Sequence, residues 1–129
     1  RENPPPLPQA LIPVPLHPHR LRERGYNQAL ELARPIAIAL GIALRPDILV
    51  RERATAAQSH LDADARHRNL RDAFAIAPNA VLPAHIALFD DVMTTGTTLR
   101  ECARTLLRAG VERVDVWALA RAPKRYFKA

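Results

Sequence analysis

Cysteine is nearly absent from this chain: Cys102 stands alone among 129 residues. A single thiol excludes an internal disulfide and any multi-cysteine zinc site built from this chain alone, and it makes a reducing, cytoplasmic setting the expectation. Lysine is almost as scarce. Lys124 and Lys128 are the only two, so arginine carries the net charge of +6. Such a surplus attracts polyanions, whether nucleic acid or a pyrophosphorylated metabolite. A coding bias toward Arg and Ala produces the same total, and a net charge does not say where the charge sits. No apolar run approaches the roughly 20 residues that span a bilayer, so no membrane span is expected and the chain reads as soluble. The start, Arg1-Glu2-Asn3-Pro4-Pro5-Pro6, has neither an initiator methionine nor an apolar stretch behind a charged one. No signal peptide is therefore expected there, and the chain reads as a piece of something longer.

What is present fits one domain, since a chain of this length closes a single core and leaves little for a second. Residues 1–9 form a proline-rich, extended lead-in, 10–121 the domain, and 122–129 a basic tail. Within the domain, Ala10-Leu11-Ile12-Pro13-Val14-Pro15 reads as a short apolar strand. Leu16 to Tyr26 reads as an arginine-studded loop. Asn27 then caps a helix with apolar positions at Leu30, Ala33, Ala37 and Leu40, which Pro35 should kink or restart and Gly41 should end. Strands are expected at Ile48-Leu49-Val50 and Phe74 to Ala77, with a turn at Pro78-Asn79. Between those strands lie a long loop from Arg51 and a short basic helix from Ala63 to Asp72. His85 to Asp91 is an apolar run closed by two acids, the pattern of a strand covered on both faces. Leu99, Cys102, Ala103 and Leu106 recur at helical spacing with Gly110 as the stop, and Val114 to Leu119 reads as a last strand. Strands alternating with helices imply an α/β fold with a mostly parallel central sheet and helices on both faces.

In such sheets ligands bind beyond the carboxyl ends of the strands, where Asp90 and Asp91 fall. Adjacent carboxylates repel unless donors or a cation use them; ribose hydroxyls supply donors and magnesium supplies charge. The loop that follows, Met93-Thr94-Thr95-Gly96-Thr97-Thr98, sets hydroxyls around one glycine and opens a helix, a suitable holder for a monophosphate. Taken singly, threonines at a helix start are ordinary caps and strand-end acids are ordinary solvated groups. Together and in this order they describe a sugar phosphate, with the sugar on the acids and the phosphate on the loop.

Leu88 to Leu99 resembles the phosphoribosyl-pyrophosphate signature of the type I phosphoribosyltransferases. Pro13-Val14-Pro15-Leu16, Arg20, Arg24-Gly25-Tyr26-Asn27-Gln28-Ala29 and Leu32-Ala33, with Arg51, Thr55, Gln58, Arg66, Asn69 and Phe74, resemble the ComF family, which is associated with DNA uptake in competent bacteria. The likeness covers about Leu11 to Ala120. It implies a phosphoribosyltransferase-like, Rossmann-like domain that binds phosphoribosyl pyrophosphate or a nucleotide with Mg2+. It also implies transfer of the phosphoribosyl group to an acceptor with release of pyrophosphate, and contact with competence machinery or nucleic acid; a non-catalytic sensor of phosphoribosyl pyrophosphate or a nucleotide, and a DNA-uptake interaction protein with a vestigial site, are the alternatives.

On this resemblance Asp90 and Asp91 anchor the ribose and meet the metal indirectly or through the substrate, while Thr94, Thr95, Gly96, Thr97 and Thr98 hold the 5′-phosphate. Arg20, Arg22, Arg24 and Gly25 face pyrophosphate, with Arg24 foremost among the catalytic candidates. The planar fork of arginine suits phosphate oxygens, although any one arginine in a loop is better explained by solvation. The loop from Arg51 to Ala65 occupies the place of a mobile flap, with Arg51, Arg53, Thr55, Gln58 and His60 as its contacts. It contains no glycine hinge, and Arg66, Arg68 and Asn69 would tie its far end to the body. Thr94 stands where purine-salvage members hold an aspartate, and a threonine is no general base near neutral pH, which argues against purine salvage. The cysteine-rich zinc module that ComF-like proteins carry ahead of the Pro-Val-Pro-Leu strand is absent from this chain. His17 and His19 have metal-pair spacing without a third ligand nearby, and Cys102 and Trp117 read as core packing. The basic and aromatic residues from Lys124 to Lys128 are too few to define a nucleic-acid site.

Overall fold

The computed structural model describes residues 5–52, 73–93 and 96–121. Four strands, β1 (Ala10–Pro13), β2 (Ala43–Leu44), β5 (His85–Met93) and β6 (Arg113–Arg121), form one sheet in the order β2-β1-β5-β6. Every pairing in it is parallel. β3 (Leu49–Arg51) and β4 (Phe74–Ile76) form a separate antiparallel ribbon. The helices are α1 (Pro18–Arg24), α2 (Gln28–Leu40) and α3 (Thr97–Arg108).

Alternation along the central strands explains the layers. Successive side chains point to opposite faces of a strand. Leu11, Ala87 and Phe89 thus face one way and pack against Ala29, Ala33 and Ala37 of α2. Ile12, Ile86 and Leu88 face the other way and meet Leu99, Cys102 and Leu106 of α3, together with the β3-β4 ribbon. α2 thus meets the sheet with a stripe of alanines, and α3 with a stripe of larger Leu and Cys side chains. The expected α/β architecture, with a mostly parallel sheet and helices on both faces, is what the chain forms.

Differences from the expectation are local. The stretch expected as a loop from Leu16 to Tyr26 contains α1. Pro18 sits in its first turn, where the missing N-H costs nothing, and the His17 side chain caps it by accepting from the His19 amide at 3.0 Å. Gly25, at φ 81°, ends it in the left-handed region. Pro35 does not divide α2, since it is exposed and the carbonyl it leaves without a partner can be satisfied by solvent. β2 was not expected: two residues carry too little pattern to be read. β5 runs two residues beyond Asp91, so the acids lie within the strand rather than after it. Arg51, expected to open the long loop, is the last residue of β3, and the rest of that loop from Arg53, with the basic helix expected from Ala63 to Asp72, lies outside the described residues.

Candidate functional site

The carboxyl ends of β1 and β5 lie side by side, with the Val14 amide donating to the Phe89 carbonyl at 2.9 Å. The chain therefore leaves β1 next to the two acids. Asn27 fixes the return path: its Nδ2 donates to the Val14 carbonyl at 3.1 Å, while its Oδ1 accepts from the Ala29 amide at 3.0 Å and the Leu30 amide at 3.4 Å. One side chain thus caps α2 and ties that cap to the end of β1.

A cavity of about 200 Å³ opens at this junction. Arg24 at the end of α1, Arg51 at the end of β3, Asp90 and Asp91 of β5, and Thr98 in the first turn of α3 all line it. Five side chains singled out in the sequence, from Arg24 to Thr98, therefore share one recess. A smaller recess of about 40 Å³ adjoins it through Asp90 and Thr98 and is lined further by Met93, Gly96 and Thr97. Gly96 caps α3 at φ 81° without a side-chain cap, and its carbonyl accepts from the Arg100 amide at 2.9 Å.

The electrostatics of the larger recess are strained. Burial pushes the Asp90 carboxyl up to about 6, and its hydrogen bond with the Asp91 side chain adds to the rise. The Asp91 amide donating to Asp90 Oδ1 at 2.9 Å only partly offsets this. Burial likewise lowers Arg51 from the ordinary arginine value, and the charge of Arg20 lowers it further, so these two guanidinium groups come near enough to repel. Arg51 also stacks on Phe74, with its guanidinium carbon 5.4 Å from the ring centre. Behind Asp90, the buried Cys102 thiol is held well above its usual range by burial and then by the Asp90 charge.

Not every candidate joins the group. Arg22 is exposed and lines neither recess, and Gly25 borders a neighbouring, mainly apolar cavity of about 420 Å³ beyond Arg51 rather than the acids. Thr94, Thr95 and the flap positions Arg53, Thr55, Gln58 and His60 lie outside the described residues, as do Arg66, Arg68 and Asn69. His17 serves as a cap and His19 pairs with Glu23 at 3.1 Å. Among the described residues no three His, Cys, Asp or Glu side chains come together to hold a metal. Cys102 is buried, and Trp117 packs against the α2 side of the sheet, as expected. Sequence reasoning missed Gln28, which also lines the larger recess, and the positioning part of Asn27. The signal available was a capping asparagine soon after a glycine turn, which places the start of α2 beside whatever the preceding loop faces.

No family model matches the chain. It is 45% identical over 116 residues to the DNA utilization protein YhgH of Salmonella typhi, covering 90% of this chain and 51% of the relative. It is 44% identical over 118 residues to competence protein F of Haemophilus influenzae, covering 90% of this chain and 52% of the relative. Competence protein ComFC of Streptococcus pneumoniae is 30% identical over 110 residues, covering 85% of this chain and 47% of that one. The chain spans about half the length of these curated relatives. Among solved structures, orotate phosphoribosyltransferase from Aeropyrum pernix superposes with a TM-score of 0.46 at 15% identity, covering 88% of this chain and 60% of that one. The chain is thus a homologue of the competence and DNA-utilization proteins, in agreement with its resemblance to the ComF family.

Proposed function

We propose that this homologue of the competence and DNA-utilization proteins binds phosphoribosyl pyrophosphate and transfers its phosphoribosyl group to an acceptor, releasing pyrophosphate. The observation that carries the reading is the single recess in which Arg24, Arg51, Asp90, Asp91 and Thr98 meet. Two acids beside two arginines suit a ligand whose hydroxyls donate on one side and whose phosphates accept on the other. The ribose hydroxyls donate to Asp90 and Asp91, and the 5′-phosphate takes the Gly96-Thr97-Thr98 recess at the start of α3, with Thr94 and Thr95 completing the loop. Arg24 and Arg51 face the pyrophosphate, with Arg20 and Arg22 on the same short helix as reserve cations and Gly25 permitting close approach of the backbone.

In the transfer, the acceptor's lone pair forms the bond to C1 as the C1–O bond breaks and its electron pair leaves on pyrophosphate. The arginines neutralise that departing charge, and fixed geometry holds the reacting carbon in line. The carboxylates are hard oxygen donors that suit Mg2+, and two of them with phosphate oxygens and water make the kind of shell magnesium adopts with phosphorylated substrates. When bound, the ion supplies further neutralisation of the pyrophosphate. On this reading the activity serves DNA uptake and use, in contact with competence machinery or nucleic acid, and the relatives' names, competence and DNA utilization, support it.

Calorimetry with phosphoribosyl pyrophosphate, with and without magnesium, tests the reading. Binding that magnesium strengthens and that Asp90→Asn with Asp91→Asn removes is expected. Failure of the intact protein to bind at millimolar ligand overturns it.

A further inference from the structure

The acid-lined recess does not end at Arg51. Through Pro15, Leu16, Asn27 and Arg51 it shares a wall with a larger, mainly apolar chamber of about 420 Å³. That volume lies in the range of small-molecule pockets, roughly 300–1,000 Å³. Arg24 lines the recess and its neighbour Gly25 the chamber, so the end of α1 divides the two. The chamber thus lies behind Arg51 and Gly25, on the side where pyrophosphate departs. An acceptor attacks C1 from the opposite side, so the chamber is no place for one.

We propose that the chamber is a regulatory site for a nucleoside 5′-diphosphate, whose two phosphates take the place of pyrophosphate on Arg24 and Arg51 while its ribose and base lie in the chamber, so that it excludes phosphoribosyl pyrophosphate. The proposal rests on the phosphoribosyl reading above and deepens it by giving the same site an inhibitor. Such a ligand runs away from Asp90 and Asp91, the reverse of the substrate.

This ligand makes three demands, and the chamber has a side chain for each. Its phosphates need a cation, and Arg51 belongs to both walls. Its ribose hydroxyls need an acceptor. Glu31 lines the chamber from the first turn of α2, is exposed, and is held only loosely by Arg34 at 3.9 Å. Its carboxylate accepts hydroxyls as the acidic residue of a dinucleotide-binding fold does. The base needs a flat partner, and Tyr26 is the aromatic ring among the described lining residues. Tyr26 is 50% exposed and Leu21 40%, so apolar area at the elbow between α1 and α2 is left uncovered by the protein's own packing. A base laid there removes that area from water and stacks on the ring.

The edge of the base is left unread. Asn27 already accepts from two backbone amides and donates to the Val14 carbonyl, so little of its side chain is left for a ligand. It is the one side-chain amide among the described lining residues. Telling one base from another takes several matched donors and acceptors, so the site takes adenine and cytosine nucleotides alike.

Calorimetry with ADP, magnesium being present throughout, tests the assignment on the parent chain, Tyr26→Ala, Tyr26→Phe and Glu31→Gln. Phosphoribosyl pyrophosphate is titrated into the same four proteins. ADP should bind the parent, lose about tenfold or more in Tyr26→Ala and about threefold or more in Glu31→Gln, and stay within about twofold in Tyr26→Phe, which keeps the ring. CDP should match ADP within about threefold, and AMP, one phosphate shorter, should bind about tenfold more weakly. Protein saturated with phosphoribosyl pyrophosphate should no longer take up ADP. Phosphoribosyl pyrophosphate itself should bind all four proteins within about twofold, which also reports that the variants fold. The assignment is overturned if phosphoribosyl pyrophosphate binds while ADP at millimolar concentration does not, or if the two bind together. Equal binding of ADP to the parent and Tyr26→Ala also overturns it, because ADP then sits in the substrate's own place. A preference of about tenfold between ADP and CDP overturns the unread edge. If phosphoribosyl pyrophosphate fails to bind the parent while ADP binds it and weakens in Tyr26→Ala, the phosphoribosyl reading falls and the nucleotide site stands.

Discussion

The two ends of the parallel sheet treat charge in opposite ways. At the amino end, Gln9 Oε1 accepts from the Ala84 amide at 2.8 Å and the His85 amide at 3.0 Å, and the Gln9 amide donates to the His85 carbonyl at 2.8 Å. His85 Nε2 lies 2.8 Å from Asp115, and Arg113 Nε lies 3.1 Å from the same carboxylate. At the carboxyl end, Asp90 and Asp91 share a recess, and Arg51 feels the charge of Arg20. Two aspartates in neighbouring strands show the contrast directly. The hydrogen bond from His85, and after it that from Arg113, holds Asp115 below the usual carboxylate value, whereas burial raises Asp90 to about 6. At one end the His85–Asp115 contact joins β5 to β6. At the other, the mismatch is what a ligand bearing both hydroxyls and phosphates relieves.

The strongest way to break this comparison is to remove the mismatch. Asp90→Asn with Asp91→Asn should weaken phosphoribosyl pyrophosphate binding by at least about a hundredfold in calorimetry, since each charged acceptor contributes roughly 1.5–3 kcal/mol. Retained affinity would mean that the acids are not the sugar anchor. A backbone test comes next. Gly96→Val forces a branched residue to φ 81°, while the nearest atom to an added Cβ, the Met93 sulfur at 3.6 Å, makes only ordinary contact. Conformational strain of about 1–2 kcal/mol should appear in denaturant unfolding, together with weaker binding. A loss confined to stability would separate this glycine from the phosphate.

Acidity probes the same recess more gently. If ionised Asp90 accepts from the ribose, affinity should be flat above pH 7 and fall by up to about tenfold per pH unit below 6, the value to which this carboxyl is raised. A profile that does not bend near 6 would detach Asp90 from the ligand. The stability consequence has the reverse sign. Because the folded protein holds this proton more tightly than the unfolded chain, Asp90 favours folding most at acid pH and loses that contribution as pH rises through 6. Asp90→Asn should therefore stabilise the free protein at pH 7.5 by on the order of 1 kcal/mol, solvent screening of a partly exposed group keeping the gain small. Asp115→Asn is the smallest change. It should cost no more than about 1 kcal/mol at neutral pH and leave phosphoribosyl pyrophosphate binding untouched. Its cost should shrink as pH falls through the lowered Asp115 value, below which the parent's carboxyl is protonated and, like the amide that replaces it, carries no charge.

How much of this was legible in the sequence depended on the range of the interaction. The β5 run, the Asn27 and Gly41 limits of α2, and the apolar stripe of α3 were readable because periodicity and capping act over a few residues. Helix α1 was missed because arginines and prolines mask a seven-residue helix, although Pro18 and Gly25 are its start and stop signals. The acids and Thr98 were marked by one continuous segment. Arg24 and Arg51 were only two among many arginines until the ends of α1 and β3 were seen at the same recess, and Arg22, no different in the sequence, lies outside it. Asn27 was legible as a cap. Its bond to Val14, which draws the start of α2 onto the end of β1, was not.

By itself, the sequence determined the α/β class, the helix on each face of the sheet and the acid-and-threonine segment at the end of β5. Each of these follows from side-chain alternation, helical spacing or turn chemistry between near neighbours. Only the tertiary structure decided which arginines join the acids, that Asp90 is raised while Asp115 is lowered, and that an apolar chamber opens beyond Arg51. Those outcomes depend on burial and on distances between elements far apart in the chain, and a linear pattern carries neither.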